Sequence, residues 1–233
     1  WRPTGNVAMN GDLRVWVLVL LLFCAGAVRA AEAPQRVVSL NLCTDQILLA
    51  LLPRERIAML SQLAADRTLS WAAARAEGIA RFDGSVERIV QLNPDLVLTG
   101  SQASLSSAAV LKRLGYRVET IAMPETIAAS LAFIEHTAAL LGEAGAGAAL
   151  SRDTTRRLDE VRRAMARRPR ELGLIYLPNG LSPGAGTLKD ELLALAGWRN
   201  LASERGISGY GTLPLEDLVS RAPRAVLFDA VDL

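Results

Sequence analysis

The chain is short of the residues that most often carry chemistry. It holds one histidine, His136, and two cysteines, Cys24 and Cys43. A lone histidine makes no multi-histidine metal site, and His136 sits in the helical run LAFIEHTAAL, where it reads as an ordinary helix residue and not as the base of a triad. With His136 read as a helix residue, no other histidine is left to form a Cys-His pair with Cys43. HExxH, GxSxG and GxGxxG are all missing. The Gly-rich loop 179–187 comes nearest to a phosphate loop, but Gly186 is followed by Thr187 and Leu188 without the required lysine. These gaps predict no catalytic residues, no metal site and no cofactor. Lysine is nearly absent (Lys112 and Lys189), and the 26 basic residues almost balance the 24 acidic ones. The basic surface of a nucleic-acid-binding protein is therefore missing. Aromatic residues make up only 5%.

Long apolar runs are lacking too. The longest is Val15 to Val28, 14 residues, against roughly 18 or more for a membrane span. Arg14 precedes it and Val28-Arg29-Ala30 follows. That pattern reads as a secretory signal peptide over 1–30, cleaved near Ala30-Ala31. Met9 is a plausible start, which leaves 1–8 as upstream sequence. Phe23 stands where lipid attachment at Cys24 would want a small residue. An uncleaved leader kept as an anchor is the alternative. Cleavage leaves the two charge signs balanced and Cys43 as the single cysteine, so no intramolecular disulfide forms.

What remains is rich in pattern. RVVSL, RIAML, DLVLTG and YRVETI read as strands. TDQILLALL (with Thr44 as its cap), VERIVQL (capped by Ser85 and stopped by Asn93-Pro94) and SSAAVLKRLG read as helices between them. The Ala-rich stretch 66–79 is expected to be partly helical. Such alternation implies parallel pairing and an α/β fold. From Thr126 to about Arg168 the alternation gives way to helix, ending in a long piece over about 148–168 studded with arginines. Asp153, Asp159 and Glu160 make this a solvated face with local ion pairs. Alternation then restarts with ELGLIYL, a Pro/Gly loop, LKDELLALAG (capped by Thr187, stopped by Gly197) and RAVLF. The expected organisation is an N-terminal α/β lobe over 31–125, a helical segment with a linking helix over 126–169, and a C-terminal α/β lobe over 170–233. This second lobe ends just after a strand and reads as incomplete.

One phrase is written twice. SVERIVQLNPDLVL and PLEDLVSRAPRAVLF both run Glu, Val three residues later, Pro seven residues after the Glu, then an aliphatic strand. Glu87 and Glu216 occupy the matching first-turn positions, where the helix dipole favours an acid. Two matched acids, one per lobe, suit paired basic sites on a symmetric partner. Two lobes also make a cleft, and α/β ligands meet loops at the carboxyl ends of strands. Those loops offer Leu42, Cys43 and Thr44, then Phe82, and in the second lobe Tyr176, Asn179, Tyr210 and Asp229. An aromatic in each lobe suits a flat, largely apolar ligand; packing into the core is the competing role, most evenly balanced for Tyr176.

RVVSLNLCTD, SVERIVQLNPDLVLTG, LIYLPNGLSPGAGTLKDELLALAGWRNLA and LPLEDLVSRAPRAVLF together resemble the periplasmic substrate-binding proteins of ABC importers for cobalamin, ferric siderophores and haem. The resemblance runs from about Arg36 to Phe228. It implies two α/β lobes on one long helix, limited lobe motion, a monomer, and a periplasmic protein that is not an enzyme. It implies that Glu87 and Glu216 dock to arginines on the two subunits of an inner-membrane ABC permease. It matches Phe82 and Tyr210 to cleft aromatics of cobalamin binders, and Tyr176 more loosely. The ligand expected is an iron chelate or a corrinoid. The alternatives are an exported small-molecule enzyme using loop 179–187, and a membrane-tethered sensor lobe.

Overall fold

The computed structural model describes residues 33–101 and 105–228. The leader read at 1–30 and the site residue Asp229 lie outside the described residues. Strand β1 (Val37–Ser39), helix α1 (Leu42–Leu51) and strand β2 (Ile57–Met59) come first. Helix α2 (Val86–Leu92) then feeds β3 (Leu96–Gly100), and α3 (Leu105–Arg113) feeds β4 (Val118–Ile121). The four strands are parallel, in the order β2-β1-β3-β4. Side chains alternate along a strand, and here both faces are buried. Val37, Leu96 and Leu98 pack with Ile47 and Leu48 of α1, while Val38 and Val97 pack on the other face with Ile89 and Leu111. A sheet covered on both faces explains why these strands read as continuous apolar runs.

One expectation needs correcting in this half. Asn41, not Thr44, caps α1: its side chain accepts from the Cys43 amide at 2.8 Å. Thr44 lies inside the helix and is buried, and its hydroxyl bonds the Asn41 carbonyl at 2.9 Å and meets the Ser39 hydroxyl at 2.7 Å. The Ala-rich stretch 66–79 is helical only in part, as a 3-10 turn at Ala73–Ala76, and a similar turn at Gln62–Ala65 precedes it. Asp66 turns the chain between them by accepting from the Thr68 amide and hydroxyl.

Helix α4 (Ile127–Leu140), capped by Thr126, carries the exposed His136 and packs Phe133, Ile134 and Leu140 onto the first core. The long helix α5 (Ala144–Met165) has 22 residues, about 33 Å at 1.5 Å per residue. It starts four residues earlier than its composition suggests and runs straight through Gly145 and Gly147. The second glycine is there for packing. A Cβ built on Gly147 would lie 2.2 Å from the Ala138 Cβ, so the hairpin of α4 and α5 closes only because position 147 has no side chain. Arg56 fastens the turn between the two helices. Its guanidinium bonds Glu143 at 2.6 Å, the Leu141 carbonyl at 2.6 Å and the Pro34 carbonyl at 2.8 Å. Along α5, Arg156 pairs with Asp153 and Glu160, Arg157 with Asp153 and Arg162 with Asp159, as the spacing predicts.

The remaining elements are β5 (Glu171–Ile175), β6 (Leu181–Pro183), α6 (Leu188–Leu195), β7 (Trp198–Asn200), α7 (Leu201–Glu204), β8 (Tyr210–Thr212), α8 (Leu215–Arg221) and β9 (Ala225–Leu227). Strands β7-β5-β9 form a parallel sheet, and β6 pairs antiparallel with β8. The Pro/Gly loop therefore contains a strand, and WRN is a strand as well. Both are three residues long and owe their conformation to partners far away in sequence. The core here is smaller and centres on Leu174, Leu201, Ala202 and Leu213. Mainly parallel sheets joined through one long helix are the architecture expected from the sequence.

Candidate functional site

The repeated phrase is also a repeated shape. Helices α2 and α8 have seven residues each. Each ends on a left-handed residue, Asn93 (φ 44°) or Ala222 (φ 40°), directly before a proline. Proline keeps its predecessor out of the right-handed helical region, so the stop has the same cause in both. Glu87 and Glu216 are the second helical residues of their helices, and both are exposed. The surroundings differ. The Ser85 hydroxyl accepts from the Arg88 amide at 3.3 Å and donates to Glu87 at 3.0 Å. The Glu87 carboxyl is held below its usual range, first by its own backbone N–H and then by Ser85. On α8, Pro214 occupies the cap position and gives no side-chain hydrogen bond.

The carboxyl edge of the first sheet assembles the predicted N-terminal residues. Asn41, Leu42 and Cys43 follow β1 directly. The end of β3 lies against them, since a Cβ on Gly100 would come within 2.5 Å of the Asn41 side-chain nitrogen. Phe82 reaches the same edge through a bridge that prolongs β2. Leu60 donates to the Ala80 carbonyl at 2.9 Å and accepts from the Phe82 amide at 2.8 Å. Phe82 is half-buried against the core, and Leu42 and Cys43 are partly exposed, whereas the Thr44 hydroxyl is taken up internally.

Sequence reasoning missed the group beneath this edge. Asp45 is fully buried at the start of α1. Its carboxylate accepts from the Ser61 hydroxyl at 2.5 Å and the Ser61 amide at 3.2 Å, tying the loop after β1 to the loop after β2. Burial pushes its pKa up to about 6, and hydrogen bonds from Ser39 and Ser61 oppose that rise. The same burial, with the Asp45 charge behind it, raises the Cys43 thiol. A thiol raised in this way stays protonated and is a poor nucleophile. In the second half Asp190 of α6 plays a matching part, accepting from Asn200 at 2.8 Å and Ser203 at 2.6 Å. The sequence signal common to both is an aspartate in the first turn of the first α-helix of its half.

In the second half, Tyr176 leaves β5 half-buried, and its amide donates to the Leu227 carbonyl at 2.9 Å. Its ring meets Phe228 edge-on, with centroids 6.3 Å apart and planes at 79°. Phe228 is 59% exposed and was not singled out from the sequence. Asn179 is exposed, with a left-handed φ of 60° that turns the chain toward β6. Tyr210, 54% exposed, opens β8 opposite Pro183. So Tyr176 and Phe228 share the carboxyl edge of the second sheet, while Tyr210 stands on the antiparallel pair. Among the described residues no three of His, Cys, Asp and Glu converge as a metal site, and no helix is long and apolar enough to cross a membrane.

The comparisons with known proteins agree with this architecture. The family model described as periplasmic binding protein matches residues 37–231. A search of curated proteins finds no match. Among solved structures, the periplasmic haem-binding protein RhuT from Roseiflexus sp. RS-1 in its apo form is 24% identical with a TM-score of 0.70, covering 83% of this chain and 76% of its own. The periplasmic haem-binding protein BhuT in complex with two haems is 27% identical with a TM-score of 0.66, over 83% of this chain and 76% of its own. The periplasmic vitamin B12 binding protein BtuF of Vibrio cholerae is 18% identical with a TM-score of 0.62, over 84% of this chain and 76% of its own.

Proposed function

The chain belongs to the periplasmic binding protein family, and we propose that it captures a flat metal chelate in the periplasm and delivers it to an ABC permease dimer. Proteins of this family bind solutes such as haem, vitamin B12 or iron chelates for ABC transport and are not enzymes. The observation that carries the delivery step is the pair of matched helices, each with an exposed acid at its second position and the same left-handed stop before proline. Each half offers one acid, as a permease built from two like subunits requires. In this reading 33–125 and 170–228 are the two lobes and α5 is their link.

The aromatic residues support capture. Phe82 lies on the carboxyl edge of one sheet, and Tyr176 and Phe228 on that of the other, with Tyr210 exposed on β8. Faces of this kind stack on flat conjugated ligands. Haem is the first ligand to test, because the neighbour with two bound haems is 27% identical; a corrinoid or a ferric siderophore comes next. Binding biases lobe closure only through contacts that differ between open and closed states. The work of transport comes from the permease's ATPase.

The test is a quenching titration of protein beginning at Ala31, followed through Trp71 and Trp198. The panel is haem, cobalamin, cobinamide and ferric hydroxamate and catecholate complexes. Saturable quenching at or below about 1 µM, near −8 kcal/mol, is expected for one class. Uptake measured with the double variant Glu87→Ala/Glu216→Ala is expected to fall to background with ligand affinity unchanged. Undiminished uptake would remove the docking role.

A further inference from the structure

The two docking helices carry more than charge. Beside Glu87, helices α2 and α3 enclose a recess of about 620 Å³ whose walls include Val86, Val90, Val110 and Leu114. Leu114 is 58% exposed at the end of α3. Beside Glu216, Leu215 is 59% and Val219 73% exposed. Val90 and Val219 hold the same position in their helices, three residues after the glutamate. The local cations are already engaged: Arg88 with Asp83 at 2.9 Å, and Arg205 with Asp217 at 2.8 Å. Each half thus presents one acid turned to solvent, bordered by exposed aliphatic side chains.

We propose that each helix binds its permease subunit through a mixed patch, the glutamate taking a basic side chain and the bordering aliphatic surface taking an apolar one. This rests on the docking reading above. The occupant is fixed by charge and shape. An exposed acid with no cation of its own is complementary to a basic side chain, and the apolar recess directly beside it is complementary to an aliphatic or aromatic side chain next to that basic residue. The partner segment on each permease subunit therefore places a basic and an apolar residue side by side. On α2 the apolar side chain enters the recess; on α8 it lies across Leu215 and Val219. Charge pairs at an exposed rim set approach and orientation, while desolvated apolar anchors hold the complex. The mixed patch consequently keeps part of its grip when salt screens the ion pairs.

The test measures haem-loaded protein binding to its ABC permease in nanodiscs. The proteins are wild type, Leu114→Ser, Val219→Ser and Glu87→Ala/Glu216→Ala, with haem affinity and thermal unfolding recorded for each. Leu114→Ser and Val219→Ser are expected to weaken docking about tenfold each, with haem affinity and unfolding as in wild type. Wild-type docking is expected to retain a measurable fraction at about 1 M salt. If both serine variants dock like wild type while the double glutamate variant does not, the apolar part is wrong and charge docking stands. If the glutamate variant also docks like wild type, the docking face itself is misassigned. Wild-type docking that vanishes entirely with salt overturns the mixed patch as well.

Discussion

Replacing Asp45 with asparagine should make the protein more stable at neutral pH and less dependent on pH. Asp45 is fully buried, and burial raises its carboxyl to about 6 from an ordinary 3.8. The folded protein therefore holds this proton more tightly than the unfolded chain. The stability it contributes is fully present below the unfolded pKa and is lost as pH rises through the folded one. A rise of roughly two pKa units at 1.36 kcal/mol each makes the loss about 3 kcal/mol between about pH 4 and pH 7. Asparagine has the same shape and no charge. Its single acceptor oxygen cannot replace every bond that Ser39 and Ser61 give the carboxylate, which lowers the net gain to about 1–2 kcal/mol near pH 7.5. Urea unfolding from about pH 4 to pH 8 measures this directly, since the midpoint follows stability when the slope is unchanged. Wild-type midpoints should fall relative to the variant as pH rises, and the two curves should cross in acid. Parallel curves, or a variant less stable at pH 7.5, would show that the carboxylate is satisfied in its charged form and that the reasoning from burial fails.

Two further substitutions probe the link between the halves. Arg56→Met leaves Glu143 and two backbone carbonyls without their donor. The pair is only partly shielded, with side-chain exposures of 12% and 30%, so the cost should be about 2–4 kcal/mol, at the lower end for a broken buried pair, read as a drop in the urea midpoint. Gly147→Ala forces a methyl group into Ala138 and should destabilise by about 1–3 kcal/mol. Adding Ala138→Gly should restore most of that loss, because the two positions share one space.

Strands and helices with a full period and local punctuation were legible in the sequence. Ser85, Asn93-Pro94, Thr187 and Gly197 act where they stand, so the stops and starts they set could be read directly. The duplicated Glu-to-Pro phrase was legible for the same reason, and it led to matched helices with matched acids. What was not legible depends on distant partners. β6 and β8 are three residues each and exist because they pair with each other. The early start of α5 depends on Ala138 accepting a glycine opposite it, and the cap of α1 depends on Asn41 outcompeting a threonine whose hydroxyl is drawn to Ser39. Asp45 was not singled out, because its first-turn position marks a possible cap-region acid but its burial depends on Ser61, 16 residues away. Phe228 was read as the end of a strand, and its meeting with Tyr176 needs the pairing of β5 with β9.

The two halves repeat a phrase without repeating its energetics, and this bears on how a partner would meet them. Helix α2 is seated by Ile89, which is fully buried, and its acid is fixed by Ser85 and by its own amide. Helix α8 has no fully buried residue and no side-chain cap; Leu218 holds it to the smaller core. A side chain already fixed in its binding geometry loses less freedom on association. Glu87 is therefore the more pre-organised acid of the pair, and a partner meeting Glu216 would have more freedom to quench. A symmetric partner would feel two unequal grips from one duplicated motif. The Glu87 side would set orientation, and the α8 side would adapt to it. Under the docking proposed above, that division would let one half set the approach while the other adjusts to a ligand-dependent change between the halves.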